Sequence, residues 1–292
     1  MQWSGGNESN DVEEGSSGGG GRGLFFGGGI LGLIGAAIYL FTGVNPSQLF
    51  KANSNNSQQI NTVPGGGRES RDKQFARVVF EGTTIVWDSL FHTMGRTYTH
   101  PILHLYTDAV DAAGCGYTTS ATGPFYCPAD QRVYLDLSFF DELQNKFSAP
   151  GESAWAYVIA HEVGHHIQNL LGVSAKMDEA RQSLSETAYN KLSVKLELQA
   201  DFYAGVWAHY EALNHHNNIV IERADIDSAL TAAHQIGDDR LQQKYQGRVS
   251  PDSFTHGTSA QRMYWFKKGY DTGDVNQGNT FTSGEPDDRF NQ

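Results

Sequence analysis

From Arg68 onward, the spacing of apolar residues switches between a helical and a strand period. Phe75, Val78, Val79, Ile85, Val86, Leu90 and Phe91 recur at helical spacing and predict a helix over about 71–93. "PILHLY" at 101–106 reads as a short strand. "RVYLDLSFF" at 132–140 alternates apolar and polar, the pattern of a strand with one buried face. Between them, 110–130 holds Gly, Cys, Thr, Ser and Pro and reads as a loop. Pro150 and Gly151 break the chain before a helix over 152–171, "AWAYVIAHEVGHHIQNLLG" and its lead-in. Further helices are expected over about 184–213, 224–236 and 258–270. Asp225 and Asp227 fall in the first turn of the third, where negative charge suits the helix dipole. Few strands among many helices make the fold class α+β, mainly helical with a small sheet.

The chain before Arg68 has another character. Residues 1–23 are polar, acidic and Gly-rich, the composition of a disordered segment. Leu24–Val44 then runs for 21 residues without a charge. As a helix it spans roughly 30 Å, the thickness of a bilayer core, so one N-terminal transmembrane helix is expected. Gly28, Gly32 and Ala36 put small residues on one face of it, a weak signal for helix pairing. Arg22 before it and Lys51 after it nearly balance the charge rule for orientation. The preferred arrangement has the N-terminus inside and the bulk of the chain outside. Residues 45–67 read as a flexible linker, 68–283 as the folded domain and 284–292 as a polar tail.

Composition narrows the partners. Lys and Arg number 21 against 33 Asp and Glu, a formal charge of -12, and no basic run could track phosphates. Nucleic acid is therefore excluded as a partner. The two cysteines, Cys115 and Cys127, do not have Cys-x-x-Cys spacing. They are either one disulfide or two reduced thiols.

"HEVGH" supplies the chemistry. His161 and His165 are four apart, so a helix stacks them on one face, where two imidazoles can hold one zinc ion. Glu162 lies about 100° around the helix, out of line as a ligand but able to take a proton from a water at the site. Its expected role is general base. His166 is rotated off that face and reads as a packing or hydrogen-bonding residue. Trp155, Val158, Ile159, Val163, Ile167 and Leu170 make the same helix apolar, and burying unpaired imidazoles there would cost several kcal/mol.

A catalytic zinc needs a third protein ligand and one open position. The extended pattern with Gly at 168 and His at 171 is excluded by Gln168 and Leu171. "KLELQADFYAGVWAHY" offers Glu197 as the ligand, with Asp201 on the same face to accept the N–H of His161. Ala200, Ala204 and Gly205 are small enough to let this helix approach the first. Glu211 is a weaker candidate ligand. Lys191 and Lys195 lend some support to a plain solvated face instead. His256, in a loop before the last helix, is the candidate for stabilising an oxyanion, with Tyr210, Tyr264 and His104 as competitors. The strand at 132–140, if it is an edge beside the zinc, could pair with an extended peptide, which points to a protein or peptide substrate. The second reading is a non-catalytic membrane-tethered binding or scaffold protein with a structural zinc, which would need four protein ligands.

These stretches are familiar as a set. "HEVGHHIQ", "ELQADFYAGVWAH", "CGYTTSATGPFYCPADQRVYLDLSFF", "IGDDRLQ" and "HGTSAQRMYWFKKGY", after an apolar segment and a Gly-rich linker, resemble the bacterial neutral zinc metallopeptidase family. The pairing of H-E-x-x-H with a later E-x-x-x-D is also similar to thermolysin and other gluzincins. The resemblance implies a zincin-like domain with one Zn²⁺ per chain, in a bacterial hydrolase tethered to the inner membrane. It implies the ligand and bracing roles already given to Glu197 and Asp201. It implies a Cys115–Cys127 disulfide in an extracytoplasmic domain. It does not imply a substrate.

Overall fold

The computed structural model describes residues 1–15, 66–107, 109–119, 122–145 and 151–281. Helix α1 (Gly66–Thr93) sends Phe75, Val79, Phe80, Val86 and Trp87 into the core, as its periodicity predicts. Strand β2 (Ile102–Tyr106) follows, then β6 (Arg132–Asp136), paired in parallel with it, Leu103 opposite Val133. The stretch expected to be a loop is more ordered than its composition suggests. It holds a hairpin of β3 (Ala109–Ala112) and β4 (Gly116–Thr119), then β5 (Phe125–Cys127), which runs antiparallel to β6. A Cys115–Cys127 disulfide ties that hairpin to β5. These strands are too short for a period to register in the sequence.

Two expectations for this region are corrected. The chain leaves the strand at Asp136, and Ser138–Asn145 forms helix α2, with Phe139 and Phe140 buried. Strand β6 is also not an edge. With β1 (Val12–Glu14), the order in the four-stranded sheet is β1-β2-β6-β5, so β6 is flanked on both sides and β1 and β5 are its edges.

The helices follow in the order expected, with two additions. Helix α3 (Glu152–Leu170) is buried from Ser153 to Gln168, and the short α4 (Val173–Ser183) packs after it. Helix α5 (Glu186–Asn214) is 29 residues long and starts at a Ser185 cap, whose hydroxyl accepts the Ala188 N–H. Then come α6 (Arg223–Gln235), the short α7 (Asp238–Gln246) and α8 (Ser259–Thr272), which begins at a reciprocal Thr258–Gln261 capping box. Both α4 and α7 are polar on most of their surface, so no apolar stripe announces them.

Close helix contacts set the centre of the molecule. A side chain at Gly164 would sit 2.9 Å from the Ala200 carbonyl oxygen, so α3 and α5 meet main chain to main chain. Gly205 makes no part of that contact. It and Gly269 face each other between α5 and α8, where an added Cβ would lie 2.0 Å from the Phe266 oxygen or 2.1 Å from that of Phe202.

The N-terminal segment corrects the largest expectation. Residues 1–15 are an integral part of the fold. Trp3 is buried edge-on against Phe75, with ring centroids 5.5 Å apart. Strand β1 (Val12–Glu14) pairs in parallel with β2, and the Glu14 carboxylate bridges Lys73 and Arg77 of α1. The Asn217 side chain exchanges hydrogen bonds with the main chain of Asn7. Low average hydrophobicity hid a segment whose strand completes a sheet and whose one Trp fills a core site.

Leu24–Val44, the expected transmembrane helix, lies outside the described residues, as do 16–23, the linker at 45–65 and the tail. Among the described residues no helix is long and apolar enough to cross a membrane. The packing of 1–15 against 66–281 can be tested in the full chain. Cysteines introduced at the exposed Glu8 and Asp252 in the full chain should react from the same side with a membrane-impermeant maleimide in intact cells. The two native cysteines are disulfide-bonded and silent. Labelling from opposite sides would mean that β1 is not paired with β2.

Candidate metal centre

Helix α3 presents His161 and His165 one turn apart, their rings 4.9 Å from centroid to centroid and nearly perpendicular. Helix α5 brings Glu197 to them from across the Gly164–Ala200 contact. Donor atoms of these three residues all lie within 4.8 Å of one another, and all three residues are buried. His161 Nε2 is 3.2 Å from Glu197 Oε2. His165 Nε2 is 3.4 Å from Glu197 Oε1, yet neither atom has a hydrogen-bond partner. Two orphaned polar atoms facing each other in a buried site are costly unless a further group binds them. The donor set, two imidazoles and a carboxylate, suits Zn²⁺. Among the described residues no fourth His, Cys, Asp or Glu joins the cluster.

Charge points the same way. Burial opposes an imidazolium at both histidines. Asp201 and Glu197 outweigh it and raise both pKa values, that of His161 to about 10. Burial likewise works against the Glu197 carboxylate, and the neighbouring histidines hold its pKa well below the usual range. The site as folded demands positive charge, which a divalent cation provides.

Each histidine is braced through its other nitrogen. His161 Nδ1 lies 2.8 Å from Asp201 Oδ1. A carboxylate only accepts, so Nδ1 carries the hydrogen and Nε2 is left for the metal. Asp201 has no exposure and is gripped in turn by Arg262, through Nε to Oδ2 at 2.8 Å and Nη2 to Oδ1 at 2.9 Å. The Tyr157 hydroxyl donates to the same Oδ1 at 2.5 Å. Burial favours a neutral Asp201, but Arg262 and His161 bring its pKa down to about 2. Tyr157 and Arg262 are both fully buried, and nothing in the local sequence marks them as neighbours of the site.

His165 is braced differently. Its Nδ1 is 2.8 Å from Gln168 Oε1, and Gln168 Nε2 donates to the Leu196 carbonyl at 2.6 Å. The residue that excludes the longer histidine motif thus orients the second histidine through a neutral amide. The i,i+3 spacing within "HHIQ" is the signal that could have shown it.

Glu162 is buried beside the pair. Burial pushes its carboxyl upward, while the two histidines and, to a smaller degree, the nearby Tyr126 main-chain N–H pull it down. His256 lines the same pocket, which is walled by Pro124, Phe125, Val158, Leu196 and Ile236. Its Nδ1 is 3.0 Å from Asp238 Oδ1, and its Nε2 is buried without a partner. Asp238 also accepts the main-chain N–H groups of Thr255, His256 and Gly257 through Oδ2. That residue, in the first turn of α7, was missed because α7 itself carries no apolar pattern.

The weaker candidates are placed elsewhere. His104 sits on β2 against Tyr134 and Glu13, and it, Tyr210 and Tyr264 do not line the pocket. Glu211 is fully buried two to four turns further along α5, where a Cβ at Gly82 would meet its Oε1. Neither of its oxygens has a hydrogen-bond partner, and burial lifts its pKa to about 9; the Trp207 indole and the His216 main chain only moderate that. Glu197 and Asp201 are not a solvated face, being 1% and 0% exposed.

With fold and site described, the comparisons define the class. The family described as "Putative neutral zinc metallopeptidase" matches residues 1–281, and the chain belongs to it. It is similar to YpfJ of Escherichia coli (strain K12), an uncharacterized protein, with 46% identity over 288 residues covering 96% of this chain and 99% of the relative. Rv2575 of Mycobacterium tuberculosis (strain H37Rv), also uncharacterized, is 41% identical over 216 residues, covering 72% of this chain and 71% of the relative. No solved structure matches significantly.

Two outcomes follow from the bracing and from Glu211. Asp201→Asn and Gln168→Ala should each weaken Zn²⁺ binding about 10- to 100-fold, measured by competition with a chromogenic chelator. Unchanged affinity in both would remove them as braces. Glu211 holds a proton in the native state up to about pH 9, while the unfolded chain loses it near 4.3. The stability it confers is complete below the unfolded value and falls as pH rises through that window. Thermal unfolding of Glu211→Gln between pH 5 and 9 should show a flatter decline than the parent chain.

Proposed function

We propose that the protein is a zinc-dependent peptidase with a zincin-like site, in which His161, His165 and Glu197 hold one Zn²⁺ and Glu162 is the general base. The observation that carries this is the pair of orphaned donor atoms, His165 Nε2 and Glu197 Oε1, in a cluster of three protein ligands with Glu162 beside it. Bound there, zinc would supply a Lewis acid able to acidify a water and polarise a carbonyl. The residues of the chain do the rest. Glu162, buried with the Tyr126 main chain beside it, takes a proton from a water in the pocket and returns it to the leaving amine. His256, anchored through Nδ1 on Asp238, presents Nε2 to the pocket, where an N–H would stabilise developing negative charge on the substrate oxygen.

Three features support a polypeptide substrate in particular. The pocket opens beside β5, a free sheet edge able to take an extended chain. Phe125 and Tyr126 of that strand line the pocket together with Glu162, so the edge borders the site. Apolar walls from Phe125, Val158, Leu196 and Ile236 suit an apolar side chain of a peptide. The Cys115–Cys127 disulfide supports an extracytoplasmic location at the bacterial inner membrane, because reduced compartments rarely keep such bonds. A structural zinc in a binding or scaffold protein fits less well. That site would fill its fourth position with protein, and Glu162 would have no task.

The test is hydrolysis of unstructured polypeptide by the full chain and by Glu162→Gln. The variant should bind one zinc per chain and lose about 10²- to 10⁴-fold in kcat. His256→Ala should lose kcat with little change in KM. Undiminished hydrolysis by Glu162→Gln would overturn the assignment of the base.

A further inference from the structure

His166, the third histidine of "HEVGHH", has no exposure and turns away from the metal cluster. Its Nε2 lies 2.6 Å from the Thr99 carbonyl oxygen. A carbonyl only accepts, so that nitrogen carries the hydrogen and Nδ1 of the neutral ring is an acceptor. The Tyr126 hydroxyl, 2.9 Å from Nδ1, therefore donates to it. Asn169 Nδ2 donates to the same phenol oxygen at 3.1 Å. His166 and Asn169 are three residues apart and share a face of α3. Tyr98 closes the far side, its ring edge-on to His166 at 5.6 Å.

Tyr126 is the middle residue of β5, which is three residues long, lies at the sheet edge and pairs only with β6. So short an edge strand has little hold of its own. Yet Tyr126 lines the pocket together with Glu162, four residues before His166 on α3, and its main-chain N–H lies near that carboxylate. Strand β5 is thus fastened to α3 through the Tyr126 side chain on His166, with its backbone beside Glu162. A buried Tyr–His pair is an expensive way to fill space, since a Phe and a Leu would pack without unmet polar groups. What the polar pair adds is direction.

We propose that His166 is a positioning residue that acts through Tyr126. It fixes β5 against α3 so that the Tyr126 main chain stays beside the Glu162 carboxylate and keeps the base aimed into the pocket. The inference rests on the peptidase reading for its effect on rate, but its geometry does not.

The experiment compares the full zinc-loaded chain with Tyr126→Phe, His166→Ala, His166→Gln and the Tyr126→Phe/His166→Ala pair. Tyr126→Phe keeps the ring and removes only the hydroxyl, so it tests the link even if His166→Ala folds poorly. Zinc content should stay at one per chain. Hydrogen exchange at the Tyr126 amide, resolved by NMR, should speed at least tenfold in Tyr126→Phe and His166→Ala. In the same variants kcat on a peptide should fall about tenfold or more while KM holds, as for a misaimed base. The double variant should be no worse than the worse single, because the two residues form one link. His166→Gln, whose amide can both accept from Tyr126 and donate to Thr99, should recover part of both signals. Unchanged amide exchange and unchanged kcat in Tyr126→Phe would overturn the proposal. Full additivity in the double variant would do the same, since it would mean two separate packing defects. If the parent chain hydrolyses nothing, the peptidase reading fails, and amide exchange alone still decides whether His166 holds β5.

Discussion

Helices α3 and α5 meet where Gly164 has no side chain, and the metal centre depends on that approach. Glu197 projects from one helix and the two histidines from the other. Their donors come within 4.8 Å only because the main chain at Gly164 lies against Ala200. Any Cβ at 164 would press on the Ala200 backbone, which cannot yield as a side-chain tip can. The glycine inside "HEVGH" is therefore part of the site without touching a metal.

The approach brings a second constraint with it. Packing two helices this closely buries Asp201 and Glu197 with almost no exposure, and a buried carboxylate must be matched or neutralised. Arg262 of α8 and Tyr157 of α3 match Asp201, and the imidazoles face Glu197. Helix α8 can reach Asp201 because Gly205 and Gly269 let it close on α5. Three helices are thus locked around one carboxylate, which in turn fixes the tautomer of His161. The second histidine is set by a neutral amide, so the two ligands are held by groups of different charge. The remaining walls come from the sheet side, where the disulfide and the Tyr126–His166 contact both fasten β5.

Much of this was legible in the residues. The i,i+4 histidines, the glutamate between them and the later Glu197–Asp201 pair are local patterns, and a helix of known pitch converts spacing directly into geometry. The long helices were equally legible, since each carries an apolar stripe. Strands β3, β4 and β5 were not, because three or four residues hold too few alternations to show a period. Nor were α4 and α7, which are held by their neighbours rather than by an apolar face of their own. Asp238 was lost with α7, although the "GDD" before it is a helix-start signature that could have located it.

Sequence by itself determined the α+β class, the histidine pair with Glu162 between them, the Glu197–Asp201 pair and the exclusion of a longer histidine motif, because each depends only on residues close along one helix or on the periodicity of the chain. Tertiary structure alone decided the rest. It paired Arg262 with Asp201 across 61 positions and Tyr126 with His166 across 40. It showed β5 rather than β6 to be the edge beside the site, since strand order follows from long-range pairing. It also drew the polar first 15 residues into the sheet and core, where one Trp and three paired residues outweigh a composition that reads as disordered. That contact carries no local signal.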